Sequence, residues 1–205
     1  MTTFLLVRHG SVDAIGRYLA GRAPNEHLNA AGRAQVQRMS ERFAGVTLDA
    51  IFTSPLERAR ETAAALAQCT AGRIERADEL LELDFGEWTG KTFDELARDA
   101  RWAAFNAHRT TTRIPGGELI LEVQIRTVEF IQRLAADPAY ARVALVTHGD
   151  VIRSAICFYL GLGLDQMQRF EVDCASISVL QLGTGAPLVR CIGDRSFEPR
   201  PYLEG

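Results

Sequence analysis

LLVRHG, residues 5–10, is an apolar run that stops at a cation, an imidazole and a glycine, and ALVTHG, residues 144–149, repeats the shape. A segment that is apolar on both sides is what a central strand covered on both faces looks like. FLLV (4–7), DAIFT (49–53) and VALVT (143–147) all read as such strands. Amphipathic stretches separate them. Gly32, Val36, Met39 and Phe43 recur at helical spacing, as do Leu56, Ala59, Ala63 and Leu66, and Leu121, Ile125, Val128, Ile131 and Ala135. Strand–helix alternation predicts an α/β fold, a three-layer α/β/α sandwich around a mostly parallel sheet. ISVLQL (177–182) and LVRCI (188–192), joined by GTGAP, predict a hairpin and so an antiparallel edge strand. In such sheets ligands bind outside the carboxyl ends of the strands. His9, Ser54–Arg58 and His148 all fall there, so one site is expected from distant parts of the chain.

Local signals refine this outline. Ser54 reads as an N-cap, with Pro55 in the first helical position and Glu57 closing a capping box, which puts Arg58 in the first turn. A helix is expected to start just after His148-Gly149 and to stop near Gly161. RSFEPRPYLEG (195–205) contains prolines and has no period, so it is expected to be an extended surface segment. At 205 residues the chain is expected to form one domain, residues 1–205, with a lid-like helical region near 92–118.

Composition excludes several classes. The net charge of −3 offers no basic field for nucleic acid. The first apolar run is too short to span a membrane and no basic leader precedes it, so neither a membrane nor a targeting role is expected. Cys69, Cys157, Cys174 and Cys191 form no CxxC pair and read as reduced thiols of a cytoplasmic protein. With four histidines and no ligand cluster, no metal and no cofactor are expected. An exposed edge strand would be compatible with a homodimer.

The strand-end residues suit phosphate. Arg8 and Arg58 carry planar forks that donate bidentate hydrogen bonds. A helix starting at Gly149 would add main-chain donors and a positive dipole end. A neutral imidazole is a nucleophile when its other nitrogen holds the proton in a fixed hydrogen bond. The leaving oxygen would then need a carboxylic acid. ELLELDFGEWTG (79–90) offers Glu79, Glu82, Asp84 and Glu87, and composition does not choose among them.

RHG after the first apolar strand, TSPLERARETA (53–63), LELDFGEWTG (81–90), PGGE (115–118) and VTHGDVIR (146–153) occur in order along the chain. Together they resemble the histidine phosphatase superfamily, the phosphoglycerate mutase-like branch with the RHG motif. The resemblance implies a phosphoglycerate mutase-like fold and a metal-independent phosphatase acting on a small phosphorylated metabolite. It implies His9 as the nucleophile that becomes phosphorylated, with Arg8, Arg58 and His148 around the phosphate. It selects Glu82 as the proton donor, four residues before Gly86. Gly149, Ser11, Arg22 and Glu118 complete the expected phosphate- and substrate-binding set. A phosphomutase needs the same histidine, but the glycolytic mutases are usually longer. A silent phosphate-binding module is the remaining alternative, and it would not need both His9 and Glu82. The chain departs from the family pattern after RHG. Ser11, Val12, Asp13, Ala14 and Ile15 occupy a stretch where the family keeps a phosphate-contacting Asn, and Ser11, Arg17 and Arg22 are the candidate substitutes.

Overall fold

The apolar run at the start forms β1 (Thr2–Arg8), and its neighbours explain why it is apolar throughout. Phe4 and Leu6 face one core cluster and Leu5 and Val7 the opposite one. The computed structural model describes residues 1–203. After β1 come α1 (Ala30–Glu41), β2 (Ala50–Thr53), α2 (Glu57–Cys69) and β3 (Arg73–Arg76). Two short helices, α3 (Phe93–Leu96) and α4 (Ala100–Ala107), precede the long α5 (Ile120–Ala136), β4 (Arg142–Thr147) and α6 (Gly149–Leu160). The chain closes with β5 (Ile177–Leu182), β6 (Leu188–Asp194) and α7 (Arg200–Leu203).

The six strands form one sheet in the order β3-β2-β4-β1-β5-β6. β1, β2, β3 and β4 are mutually parallel, while β5 and β6 add antiparallel to the β1 side. The sheet is therefore mostly parallel with an antiparallel edge, as the hairpin signal predicts. Helices α1 and α2 bury Val36, Met39, Ala59, Ala63 and Leu66 against one face. Helices α5 and α6 bury Phe130, Ile131, Leu134, Ile152, Ala155 and Ile156 against the other. A third cluster, with Leu83, Phe85, Trp88, Phe105 and Ile114, caps α5 and α6 through Val123 and Val151. Among the described residues no helix is long and apolar enough to cross a membrane.

The register places the site. Arg8 pairs with Thr147, and Thr53 pairs with Val146, so β2, β4 and β1 end level and side by side. The chain leaves each strand at the same height, where the His9 amide donates to the Thr147 carbonyl and the Ser54 amide to the Val146 carbonyl. Gly10 is required by close approach: a Cβ there would lie 2.6 Å from Val36 Cγ2 and 2.8 Å from the Gly32 carbonyl oxygen.

Several expectations are corrected. Helix α2 begins at Glu57, capped by the main chain of Leu56, and Ser54 is not its N-cap. The Ser54 hydroxyl instead meets His148, a partner 94 residues away that no local pattern reveals. On α5 the buried stripe is Ile120, Val123, Thr127, Val128, Ile131 and Leu134, whereas Leu121 and Ile125 are exposed. Both flanks of that helix begin with apolar residues, so the period alone leaves its rotation undecided. RIER, the sequence of β3, is an exposed polar edge strand without the apolar signal that marks the others. The tail is not a loose surface segment. Phe197 is buried and stacks on Phe43 at 6.0 Å and on Tyr202 at 5.1 Å, and Leu203 is buried as well. The end of that expected surface segment, residues 204–205, lies outside the described residues.

Truncating a docked aromatic removes buried area and leaves a cavity. Phe197→Ala is therefore expected to cost about 3 kcal/mol of unfolding free energy in urea titration. A loss below about 0.5 kcal/mol would return the tail to the solvent.

Candidate active site

The level strand ends of β1, β2 and β4 bring two histidines and two arginines together. His9 and Arg58 are almost fully buried and His148 completely so. The rings of His9 and His148 stand edge to face with centroids 5.1 Å apart. Arg8, His9, Arg58, Glu82 and Gly149 line one cavity of about 260 Å³. His148 sits behind that lining, at the N-terminal end of α6.

A closed ring of hydrogen bonds fixes His9. Its Nδ1 lies 2.7 Å from the Gly10 carbonyl oxygen, an acceptor, so Nδ1 carries the proton and Nε2 keeps its lone pair. The Gly10 amide donates to Thr62 Oγ1 at 3.1 Å, and that hydroxyl donates to the Arg58 carbonyl at 2.8 Å. Arg58 Nε closes the ring on His9 Nε2 at 3.2 Å. Burial, then the charges of Arg58 and Arg8, hold the His9 pKa well below the usual imidazole range. The ring is a neutral imidazole whose Nε2 lone pair accepts from Arg58.

The surrounding donors are incompletely satisfied. Arg58 gives Nη2 to the Gly21 carbonyl at 2.7 Å, and Arg8 gives Nη1 to the Val172 carbonyl at 2.6 Å. Arg58 Nη1, Arg8 Nε and His148 Nδ1 are buried and have no hydrogen-bond partner among the described residues. Ser54 Oγ accepts from the Leu56 amide and lies 2.8 Å from His148 Nε2; when the serine hydroxyl donates there, the proton of that ring sits on the unpartnered Nδ1. Burial and the neighbouring Arg58 lower the His148 pKa too. Unpaired buried donors are costly, and three around one imidazole make a receptor for an anion with several acceptor oxygens. The first amides of α6 begin at Gly149 beside them, where a helix leaves its N–H groups free.

The carboxyl side of the cavity is asymmetric. Burial, followed by the charge of Asp150, pushes the Glu82 pKa up to about 7, against the pull of the Leu83 amide and of Arg58 and Arg8. Asp150 faces Arg153 at 3.6 Å and Arg109 at 4.0 Å. Glu82 forms no ion pair among the described residues. Apolar side chains, Val12, Ala14, Ile15, Leu19, Phe85 and Phe93, share the lining with these charged groups.

The other expected residues lie elsewhere. The Ser11 amide donates to Gln35 Oε1, and Arg17 is exposed. Arg22 donates Nε to the Glu82 carbonyl and Nη2 to Glu118 Oε2. None of Ser11, Arg17, Arg22 and Glu118 lines the cavity. Of residues 92–118, only Phe93 does. Arg101 pairs with Asp99 and Glu87, Arg113 with Glu122, and Arg109 with Asp150. Sequence reasoning missed Asp150 and Arg153 in the lining, although their positions one and four residues after Gly149 put them on the first turns of α6. The Gly21 carbonyl and the Thr62 hydroxyl carry no sequence signal. Among the described residues no group of His, Cys, Asp and Glu could hold a metal ion.

Comparison with known proteins identifies the family. The family model of the histidine phosphatase superfamily (branch 1) matches residues 4–195. A bifunctional protein of Mycobacterium tuberculosis is 32% identical over 202 residues, which are 96% of this chain and 55% of that protein. The chain thus spans about half the length of that relative. Phosphoserine phosphatase 1 of Hydrogenobacter thermophilus is 28% identical over 189 residues, covering 89% of this chain and 87% of its own. Among solved structures, Bacillus stearothermophilus YhfR superposes with a TM-score of 0.88 at 28% identity, covering 95% of this chain and 98% of that one.

The hydrogen-bond ring makes a direct spectroscopic prediction. In 15N-labelled protein the His9 imidazole is expected as the Nδ1–H tautomer, without protonation between pH 8 and about 6. Titration near the ordinary imidazole value would contradict the assigned geometry.

Proposed function

The chain belongs to the histidine phosphatase superfamily, branch 1, and on that premise we propose that it hydrolyses a small phosphomonoester through a phosphohistidine on His9, with Glu82 as the proton donor. The observation that carries this reading is the convergence of three features in one cavity. These are an unprotonated His9 Nε2, unpaired donors on Arg8, Arg58 and His148, and a carboxyl still half-protonated near neutrality.

The steps follow from the atoms. The phosphoryl group enters with its oxygens against Arg8, Arg58, His148 Nδ1 and the first amides of α6. Arg58 Nε, which otherwise rests on the His9 lone pair, turns to a phosphoryl oxygen and releases that lone pair. His9 Nε2 attacks phosphorus as the ester P–O bond breaks, and the leaving oxygen takes the Glu82 proton to depart as an alcohol. The positive charge formed on the phosphorylated ring is shared through Nδ1–H with the Gly10 carbonyl. Glu82, now a carboxylate, takes a proton from water while the water oxygen attacks phosphorus. The P–N bond breaks, phosphate leaves, and neutral His9 and protonated Glu82 are restored. Fixed donors aimed at the equatorial oxygens supply most of the acceleration, as in other phosphoryl transfers. The cavity of about 260 Å³, with apolar side chains beside the charged groups, fits a compact leaving group with a hydrocarbon face.

Phosphate release by the wild type on a panel of phosphomonoesters should resist chelators. His9→Ala should abolish both release and the acid-labile, base-stable protein phosphate seen after quenching. Glu82 must be protonated to act and His9 neutral. Wild-type kcat/KM is therefore expected to hold on the acid side and to fall as pH rises above about 7. Glu82→Gln should remove that alkaline limb and lower kcat/KM on alkyl esters at least about 100-fold. A labelled phosphoenzyme that turns over only to a second acceptor, without phosphate release, would point to a mutase. Folded protein that binds phosphate and forms no phosphoenzyme would refute the catalytic reading.

A further inference from the structure

The loop carrying Glu82 is stitched to the PGGE loop, residues 115–118. The Glu87 amide donates to the Pro115 carbonyl at 2.9 Å and the Glu118 amide to the Asp84 carbonyl at 3.0 Å. Gly86 holds φ +46°, and a Cβ there would lie 2.3 Å from the Pro115 carbonyl oxygen, so only glycine permits the approach.

The Glu118 side chain is the knot of this seam. Its Oε2 accepts from Arg22 Nη2 at 2.8 Å, from the Asp84 amide at 3.0 Å and from Arg126 Nη2 at 3.4 Å. Both arginines then reach the main chain of the donor loop. Arg22 Nε bonds the Glu82 carbonyl at 2.7 Å. Arg126 bonds the carbonyls of Glu79 at 2.5 Å and Leu81 at 2.7 Å. A loop carbonyl held by guanidinium groups cannot swing without breaking charge-assisted hydrogen bonds, which are roughly twice as strong as neutral ones. Arg22, Arg126 and Glu118 all lie outside the cavity lining.

We propose that Glu118 is a positioning residue for Glu82, acting through Arg22 and Arg126, and that it does not touch the phosphoryl group. This rests on the reading of Glu82 as the proton donor. The carboxylate has two effects. It orients the arginines on the loop carbonyls, and it neutralises cationic charge next to the donor. The charged groups facing Glu82 are Arg8 on β1, Arg58 on α2, Arg126 on α5 and Asp150 on α6, with Asp84 on its own loop, Arg22 on the loop before α1 and Glu118 on the PGGE loop. Removing the Glu118 charge shifts that balance toward cations and favours the ionised form of Glu82.

The test uses substrates that differ in their need for an acid. 4-Nitrophenyl phosphate releases a stable anion, whereas a primary alkyl phosphate must be protonated as it leaves. Glu118→Ala is expected to lower kcat/KM about tenfold on the alkyl ester and less than about twofold on the aryl ester. The inhibition constant of inorganic phosphate should stay unchanged. Glu118→Gln keeps an acceptor oxygen and should restore most of the alkyl rate, with the alkaline limb moved to lower pH. Should Glu118→Ala fail to fold, Arg22→Gln is expected to give the same split. Equal losses on both esters, a weakened phosphate inhibition constant, or unchanged rates on both would each overturn the proposal. If Glu82→Gln shows the alkyl–aryl split and Glu118→Ala does not, positioning alone is wrong. If Glu82→Gln shows no split, the donor assignment fails and the positioning role falls with it.

Discussion

The four-membered ring of hydrogen bonds through His9, Gly10, Thr62 and Arg58 is the constraint on which the site depends. It joins the end of β1 to the first turns of α2, two elements whose residues are about fifty positions apart. It decides the tautomer of His9 and the direction in which Nε2 points. It also parks a guanidinium on that nitrogen. The ring closes only because Gly10 lets the strand end lie against α1 and because β2 ends level with β1. Sheet order and register are thus upstream of the chemistry: a slip of one residue in β2 would carry Arg58 away from the imidazole.

The same arrangement concentrates positive charge where water is scarce. Arg58 is 2% exposed, and among the described residues neither it nor Arg8 forms an ion pair. Burying an unpaired charge costs several kcal/mol. The fold offsets this with main-chain carbonyls at Gly21 and Val172 and by keeping both imidazoles neutral. A bound dianion would relieve the remainder. This is electrostatic preorganisation: the cost is met on folding, before the charged group arrives.

Much of this was legible in the sequence, and the reason is geometric. Covered parallel strands must be apolar on both faces, so their ends stand out wherever polarity returns. Arg8, His9 and His148 announce themselves in that way, and the hairpin does so by its turn. Edge strand β3 has no covered face and left no signal. The rotation of α5 stayed ambiguous because Ile120, Leu121, Val123 and Ile125 are all apolar within one and a half turns. Phe197 and Leu203 were hidden by prolines that spoke for a loop. Ser54 was assigned to the helix following it because local capping is readable in sequence and a contact with His148 is not.

The carboxyl groups show where the boundary of sequence reading lies. Four acidic residues compete in the stretch 79–90, and only family resemblance singles out Glu82. In the structure the distinction is one of surroundings. Glu79 is paired with Arg133 and Asp84 with Arg22, and Glu87 is exposed beside Arg101. Glu82 is left without an ion-pair partner among the described residues, and burial first, then the nearby Asp150 charge, pushes its pKa up to about 7. Asp150 in turn faces Arg109, anchored over the Phe105 ring at 4.6 Å, and Arg153. Glu82 is therefore set apart by the arginines that its neighbours occupy. Those arginines come from the loop before α1, α4 and the segment after it, α5 and α6, and folding alone brings them together.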